Sequence, residues 1–202
     1  MTNADPAPHP DPQLRPALRT AQAADIPALK ALIAQSGIAL SAGFYTPAQA
    51  AALTQHVFGV DSQLIADQSY FVIEHEGGIV ACGGWSRRRT LFGGDQTKKG
   101  PDPELDPQTE AARIRAFFVA PAMARRGLGR QLLDHCASQA QKSGFVMLEL
   151  AATLPGVPLY SAAGFSVIER FEIALPDAVQ VPLVRMQRKS MLQTSSGSTI
   201  PQ

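Results

Sequence analysis

The chain has 202 residues, 45% of them hydrophobic, with 18 Lys+Arg against 17 Asp+Glu. A formal charge of +1 excludes a chain-wide polyanion binder, and a chain this long buries roughly 70% of its unfolded surface without needing disulfides or structural zinc. The 16 Gly and 16 Pro follow no G-X-Y period, which excludes a fibrous protein. Cys82 and Cys136 make no disulfide framework, and His9, His56, His75 and His135 have no metal-ligand spacing, so no metal is expected. There is no apolar run of 18 residues and no basic-then-apolar opening. The expectation is therefore a cytoplasmic protein that neither enters nor anchors to a membrane. Residues 87–130 hold ten basic and five acidic side chains, a local excess that suggests a local anion.

In chain order, residues 1–13 are Pro-, Ala- and Asp-rich and read as disordered. One domain is expected over 14–189, followed by a disordered tail over 190–202. Residues 14–21 suggest a first strand. Asp25 and Pro27 then open a helix whose Ile26, Leu29, Leu32 and Ile33 recur at helical spacing, with Gly37 as its stop. A second helix begins near Thr46-Pro47. Tyr70–Glu76 and Ile79–Trp85 read as a hairpin turning on Gly77-Gly78. Residues 93–109 form a polar loop long enough to be an insertion or a flap over an active site. Ala112–Val119 is a strand, with Ile114, Ala116 and Phe118 expected on one face and Arg113, Arg115 and Phe117 on the other. A helix runs from Gly127 or Leu128 to about Ser143, with an apolar stripe of Leu132, Leu133, Cys136, Ala137 and Ala140. Phe145–Ala151 is an apolar strand, Tyr160 sits in a short helix ended by Gly164, and 165–173 with 181–189 form a closing hairpin. Interleaved helices and strands give an α/β or α+β class with a mixed sheet.

Two stretches carry chemistry. In PAMARRGLGRQLLDHC, residues 121–136, Gly127 and Gly129 sit where a strand passes into an amphipathic helix. Glycine permits close backbone approach there. The first amides of a helix have no intrahelical partner, so they can cradle phosphate oxygens with help from the helix dipole. No GK[ST] follows, and the spacing is not the dinucleotide GxGxxG. In LELAATLPGVPLYSAAGF, residues 148–165, a strand ends on prolines and Tyr160 precedes a helix-stopping glycine. The intervening helical crossover can bring the phenol and the glycine loop to one cleft.

In these motifs the chain resembles the GCN5-related N-acetyltransferase superfamily over about residues 14–189, most strongly over 114–165. The resemblance implies a mixed, mostly antiparallel central sheet flanked by helices, of the acyl-CoA N-acyltransferase type, and acetyl-CoA as cofactor. The family pattern of Gln or Arg, two residues, Gly, one residue, then Gly or Ala falls on Ala124-Arg125-Arg126-Gly127-Leu128-Gly129, with Ala124 departing from it. By resemblance, backbone around Phe118 and Val119 holds the pantetheine arm as a missing strand would. Amides of Arg125, Arg126, Gly127, Leu128, Gly129 and Arg130 hold the pyrophosphate, and a splay of strands between the two motifs admits the thioester. Pro155 stands where the family often has an Asn that bonds the arm.

The resemblance casts Tyr160 as the general acid that protonates the departing thiolate, with a backbone N–H near Val119 polarising the carbonyl. Direct attack requires neither cysteine. Some relatives place a Glu early in the central strand, where this chain has Arg113. Glu110 and Glu149 are the candidate bases, with ordered water as the alternative route. Tyr45 and His56 fall in the region of the acceptor wall, and Arg87-Arg88-Arg89 either reads an anionic acceptor or is a solvated strand end. The expected activity is acetyl transfer to a primary amine of a small molecule, with no nucleic-acid partner. The alternatives are a protein N-terminal or lysine acceptor, and a non-catalytic acyl-CoA binder. The family's habit of dimerising allows a homodimer.

Overall fold

The computed structural model describes residues 15–98, 100 and 102–190. The segments read as disordered, 1–13 and 190–202, lie outside the described residues except for Ser190. Among the described residues seven strands form one mixed sheet in the order β1-β2-β3-β4-β5-β7-β6. They are β1 (Ala17–Thr20), β2 (Tyr70–His75), β3 (Gly78–Ser86), β4 (Ala112–Val119), β5 (Met147–Thr153), β6 (Ser166–Leu175) and β7 (Val179–Lys189). Every neighbouring pair is antiparallel except β4–β5. The expected mixed, mostly antiparallel sheet flanked by helices is what the chain forms.

Among the described residues five α-helices cover the sheet: α1 (Ile26–Ala39), α2 (Pro47–His56), α3 (Ser62–Ala66), α4 (Leu128–Lys142) and α5 (Val157–Ala162). Helix α4 buries Leu128, Leu132, Leu133, Cys136, Ala137 and Ala140, the stripe its periodicity predicts. The stripe meets Phe71, Ile73, Ala81 and Trp85 on one face of the sheet. Leu132 and Leu133 are fully buried, each contributing roughly 1.5–3 kcal/mol. Helix α1 packs Leu29, Leu32 and Ile33 against Tyr70, Val72 and Cys82 on the opposite face. The 2.0-residue period of β2 divides the two cores, with Phe71 and Ile73 facing one way and Tyr70 and Val72 the other.

Four expectations are corrected. Helix α1 does not stop at Gly37 but runs through it to Ala39. A Cβ on Gly37 would lie 2.6 Å from Phe58 Cδ2, so this glycine serves close packing instead of termination. Asp25 does not cap α1 through its side chain. It takes both arms of the Arg19 guanidinium, at 2.7 and 2.9 Å, and accepts from the Gln22 N–H at 2.7 Å. Helix α3 is an additional element, capped where Asp61 accepts from the Gln63 N–H at 3.1 Å.

The fourth correction concerns β4. Strict alternation fails at Ala116, which has φ +56°, and the β3–β4 register shifts between Cys82 and Gly84. This is a β-bulge, an extra residue that turns the following side chains over. Ala112 and Ile114 face the α4 side before it, and Phe117 and Val119 do so after it. Ala116 and Phe118 face the α1 side.

Candidate active site

The site grows from the way β4 and β5 part. These parallel strands pair only at Ala112↔Leu148 and Arg113↔Glu149. Beyond that point β5 stays with β7 through Thr153, while β4 stays with β3 through Val119. A cleft of about 760 Å³ opens between them, lined from the sheet by Ile114 to Val119, Ala151 and Thr153. Helices from both faces complete it, with the start of α4 and α5 on one side and α1 and α2 on the other.

At the α4 mouth the backbone is shaped for an anion. Arg125 has φ +63° and Gly127 φ +83°, which curls the chain before the helix. The N–H groups of Gly127, Leu128, Gly129 and Arg130 have no acceptor among the described residues, and the first bond into the helix is Gln131 N–H to Gly127 O at 3.0 Å. Four consecutive free donors at the positive end of a 15-residue helix form an anion-binding concavity. The two glycines serve different ends. A Cβ on Gly127 would meet nothing within 4 Å, so its backbone angle is what demands glycine. A Cβ on Gly129 would lie 3.1 Å from Leu159 Cδ2 of α5, so this glycine lets the two helices touch. Arg125 and Arg126 are exposed beside the concavity. Arg130 pairs with Asp134 at 2.8 Å and donates to Ala162 O at 3.3 Å.

Of the two β4 residues expected to present backbone, Val119 turns its N–H away from β3. The Ala120 N–H donates to Val80 O at 2.8 Å, and antiparallel pairing alternates the direction from residue to residue. The Val119 N–H donates instead to Ser36 Oγ at 3.3 Å. Phe118 pairs with Cys82 within the ladder. Ser36 is a residue the sequence reading missed. The signal was a lone hydroxyl on the apolar stripe of Leu29, Leu32 and Ile33. It is buried, and its own proton has no acceptor among the described residues.

Tyr160 sits in α5 with its ring packed edge-on to Phe117 and Phe165, at centroid distances of 6.3 and 5.9 Å. It lines the cleft, and its hydroxyl bonds no protein group among the described residues. Burial, with the nearby Cys136 sulfur adding to it, raises the phenol well above its ordinary range, so the proton stays in place at neutral pH. Tyr45 has a different task. Its hydroxyl donates to Pro182 O at 2.8 Å and accepts from the Leu154 N–H at 2.9 Å. It thereby fixes the turn that carries Pro155, which lines the cleft.

The other sequence candidates lie elsewhere. Glu149 is buried at the base of the splay, where Oε1 takes Arg113 at 2.6 Å and Arg185 at 2.9 Å. Glu110 accepts from the Asp106 N–H at 2.8 Å and lies 3.5 Å from Arg89. Neither lines the cleft, nor does His56. Within the Arg87-Arg88-Arg89 run, Arg88 grips Asp67 at 2.7 and 3.0 Å, while the exposed Arg87 and Arg89 meet Glu104 at 3.1 Å and Glu110 at 3.5 Å. The long loop is likewise tied down. Leu105 N–H donates to Arg87 O at 2.7 Å, Arg89 N–H to Pro103 O at 3.0 Å, and Thr90 N–H to Asp102 Oδ1 at 2.9 Å. The residues that lead into it, Leu91 to Gly93, form a fixed wall of the cleft. A second feature missed in the sequence supports that wall. Arg115 pairs with the fully buried Asp61 at 2.8 Å and donates to Gly93 O at 2.5 Å, while Lys98 also reaches Asp61.

A mostly antiparallel sheet that parts at its one parallel pair, with free helix amides at the mouth of the gap, defines an acyl-CoA N-acyltransferase fold. The Acetyltransferase (GNAT) domain model matches residues 66–167, just over half of the chain, and the chain belongs to that family. No curated protein matches the sequence. Among solved structures, a GCN5-related N-acetyltransferase from Rhodopseudomonas palustris is 18% identical with TM-score 0.63, over 86% of this chain and 95% of that one. The protein yncA from Salmonella typhimurium, solved with acetyl-CoA, is 16% identical with TM-score 0.60, over 91% and 99%. The paia N-acetyltransferase from Thermoplasma acidophilum, solved with coenzyme A, is 11% identical with TM-score 0.58, over 87% and 99%. At these identities the likeness is one of fold. Among the described residues no helix is long and apolar enough to cross a membrane, and no cluster of side chains has the makeup of a metal site.

Proposed function

We propose that the chain transfers an acetyl group from acetyl-CoA to a primary amine of a small molecule, by direct attack, with Tyr160 as the general acid. Family membership supports the acetyltransferase activity, and the bound ligands of yncA and the paia enzyme support acetyl-CoA as the donor. The donor supplies an activated thioester carbonyl. The observation that carries the reading is one cleft bearing both the free N–H groups of residues 127–130 and the unpartnered Tyr160 hydroxyl.

The residues present suit that ligand. The amides of Gly127 to Arg130, with Arg125 and Arg126 beside them, would hold the pyrophosphate. The outward edge of β4 at Val119 would take the amide-bearing arm. Pro155 has no side-chain donor, so the arm's second side rests on the turn fixed by Tyr45. Ser36 accepts from Val119 and keeps a proton to donate, so its hydroxyl can pass the polarising effect of that amide on to the carbonyl oxygen. Tyr160 holds its proton at the hydroxyl until sulfur needs it.

The test separates binding from chemistry. Coenzyme A should bind in a calorimetric titration, and Tyr160→Phe should leave its Kd within about threefold. The same variant should lower kcat by a factor of about 10² to 10⁴, the usual contribution of a positioned acid. An unchanged kcat removes Tyr160 from the role. Binding without thiol release on any amine would make the chain an acyl-CoA binder.

A further inference from the structure

The cleft has two chemically different ends. The α4 end carries the amide concavity with Arg125 and Arg130. The other end, beyond the bulge at Ala116, is walled by α1, α2 and the fixed segment 91–93. Leu40, Phe44, Val57, Phe58, Phe92 and Leu183 supply its surface, and Phe44 stands half exposed at its lip. Its polar side chains are few and none is anionic. Ser41 donates to Gly37 O at 2.5 Å, and Arg115 is held by Asp61 and Gly93 O. Among the described residues, no carboxylate and no imidazole lines the cleft anywhere.

An alkylamine, with a conjugate acid near that of lysine at about 10.4, arrives as an ammonium ion. It would have to shed water against apolar walls, with no carboxylate lining the cleft to pair it and no base to take its proton. An aromatic amine meets none of these obstacles. Its lone pair is delocalised into the ring, so it is neutral at pH 7, and its apolar body matches the walls.

We infer that the acceptor is a neutral, weakly basic amine on an apolar, aromatic body, and not an alkylammonium, a polyamine or a lysine side chain. The inference rests on the acetyl-transfer reading. The absent base is then no defect, because the amine needs no deprotonation before attack. The nitrogen lone pair forms the C–N bond, and the C–S bond breaks with its electron pair left on sulfur. Sulfur takes the Tyr160 proton, and the proton lost from nitrogen returns through solvent to the phenolate.

The experiment uses the full chain with acetyl-CoA and follows thiol release at pH 6 to 9. The acceptors are 4-ethylaniline, phenethylamine, spermidine and lysine, with coenzyme A binding measured separately. At pH 7, kcat/KM for 4-ethylaniline should exceed that for phenethylamine at least tenfold. The aniline profile should be nearly flat across the range, and any phenethylamine rate should rise with pH as the free amine does. Phe44→Glu, at the exposed lip, should narrow the ratio at least fivefold by giving an ammonium its missing partner. A preference for phenethylamine, spermidine or lysine overturns the inference while leaving the acetyltransferase reading intact. So does bound coenzyme A with no aniline turnover. Failure of coenzyme A to bind overturns the reading itself.

Discussion

At the residue scale, Gly127 and Gly129 look alike in the sequence and differ in the fold. Alanine at Gly127 would hold a Cβ residue at φ +83°, at a cost of about 1–2 kcal/mol. Alanine at Gly129 has only to displace the end of the flexible Leu159 side chain, and it gains helix propensity. Gly127→Ala should therefore lower Tm by roughly 2–8 °C and weaken coenzyme A binding, because the donors it orients move with it. Gly129→Ala should change Tm by less than about 3 °C. Thermal unfolding of both variants, with calorimetric binding, checks the contrast. The cysteines follow the same residue-scale reasoning. Burial pushes Cys82 up to about 12 and raises Cys136 further, so neither offers a thiolate to the chemistry. The glycine pair and Tyr160 were legible because glycine spacing and a phenol before a helix stop are local patterns. Ser36 was not, because its importance comes from β4, more than eighty residues away in the chain.

At the element scale, β4 was placed to the residue and its facing was misread past Ala116. Binary patterning assumes an unbroken pleat, and ARIRAFFV contains no glycine to announce a bulge. What sustains the positive φ of Ala116 is tertiary. Its carbonyl accepts from the Tyr70 hydroxyl at 3.2 Å, from a strand two positions away in the sheet. Tyr70→Phe removes that donor from a buried site and should cost about 1–3 kcal/mol. Because the bulge lines the cleft, kcat should fall with it, and denaturant midpoints beside kinetics would reveal a variant that loses neither. The polar loop over 93–109 is long enough to be an insertion or a flap, but the segment leading into it is anchored: Asp67 takes the Arg88 guanidinium, which holds the Asp67 carboxyl below its ordinary range. A depressed carboxylate stabilises fully above its unfolded value, and that contribution is lost as pH falls through the folded one. Asp67→Asn should cost about 1.5–3 kcal/mol at pH 7. It should also flatten the fall in stability below about pH 4, measured as urea midpoints across pH.

At the scale of the whole molecule, the sheet is two slabs, β1 to β4 and β5-β7-β6, joined by two residue pairs and then parted by the cleft. Interleaved helices and strands made the class legible, and the splay itself followed only from resemblance, since nothing in either strand's composition says where pairing ends. The structure gives a physical reason for the junction. Glu149, which the sequence offered as a base, sits at the last paired position between Arg113 of β4 and Arg185 of β7. One carboxylate thus ties three strands at the root of the gap. Glu149→Gln would leave two guanidiniums facing a neutral amide. Arg113 is 14% exposed and Arg185 37%, so the loss belongs near the lower end for a broken buried pair, about 3 kcal/mol, or roughly 6–12 °C in Tm. Adding Arg113→Met should recover part of that loss, since it removes a stranded charge. A catalytic base would behave otherwise: Glu149→Gln would keep its Tm and lose kcat, and Arg113→Met would restore nothing. Thermal unfolding of the two single variants and the double variant, with kcat for each, therefore decides whether Glu149 holds the two slabs together or moves a proton.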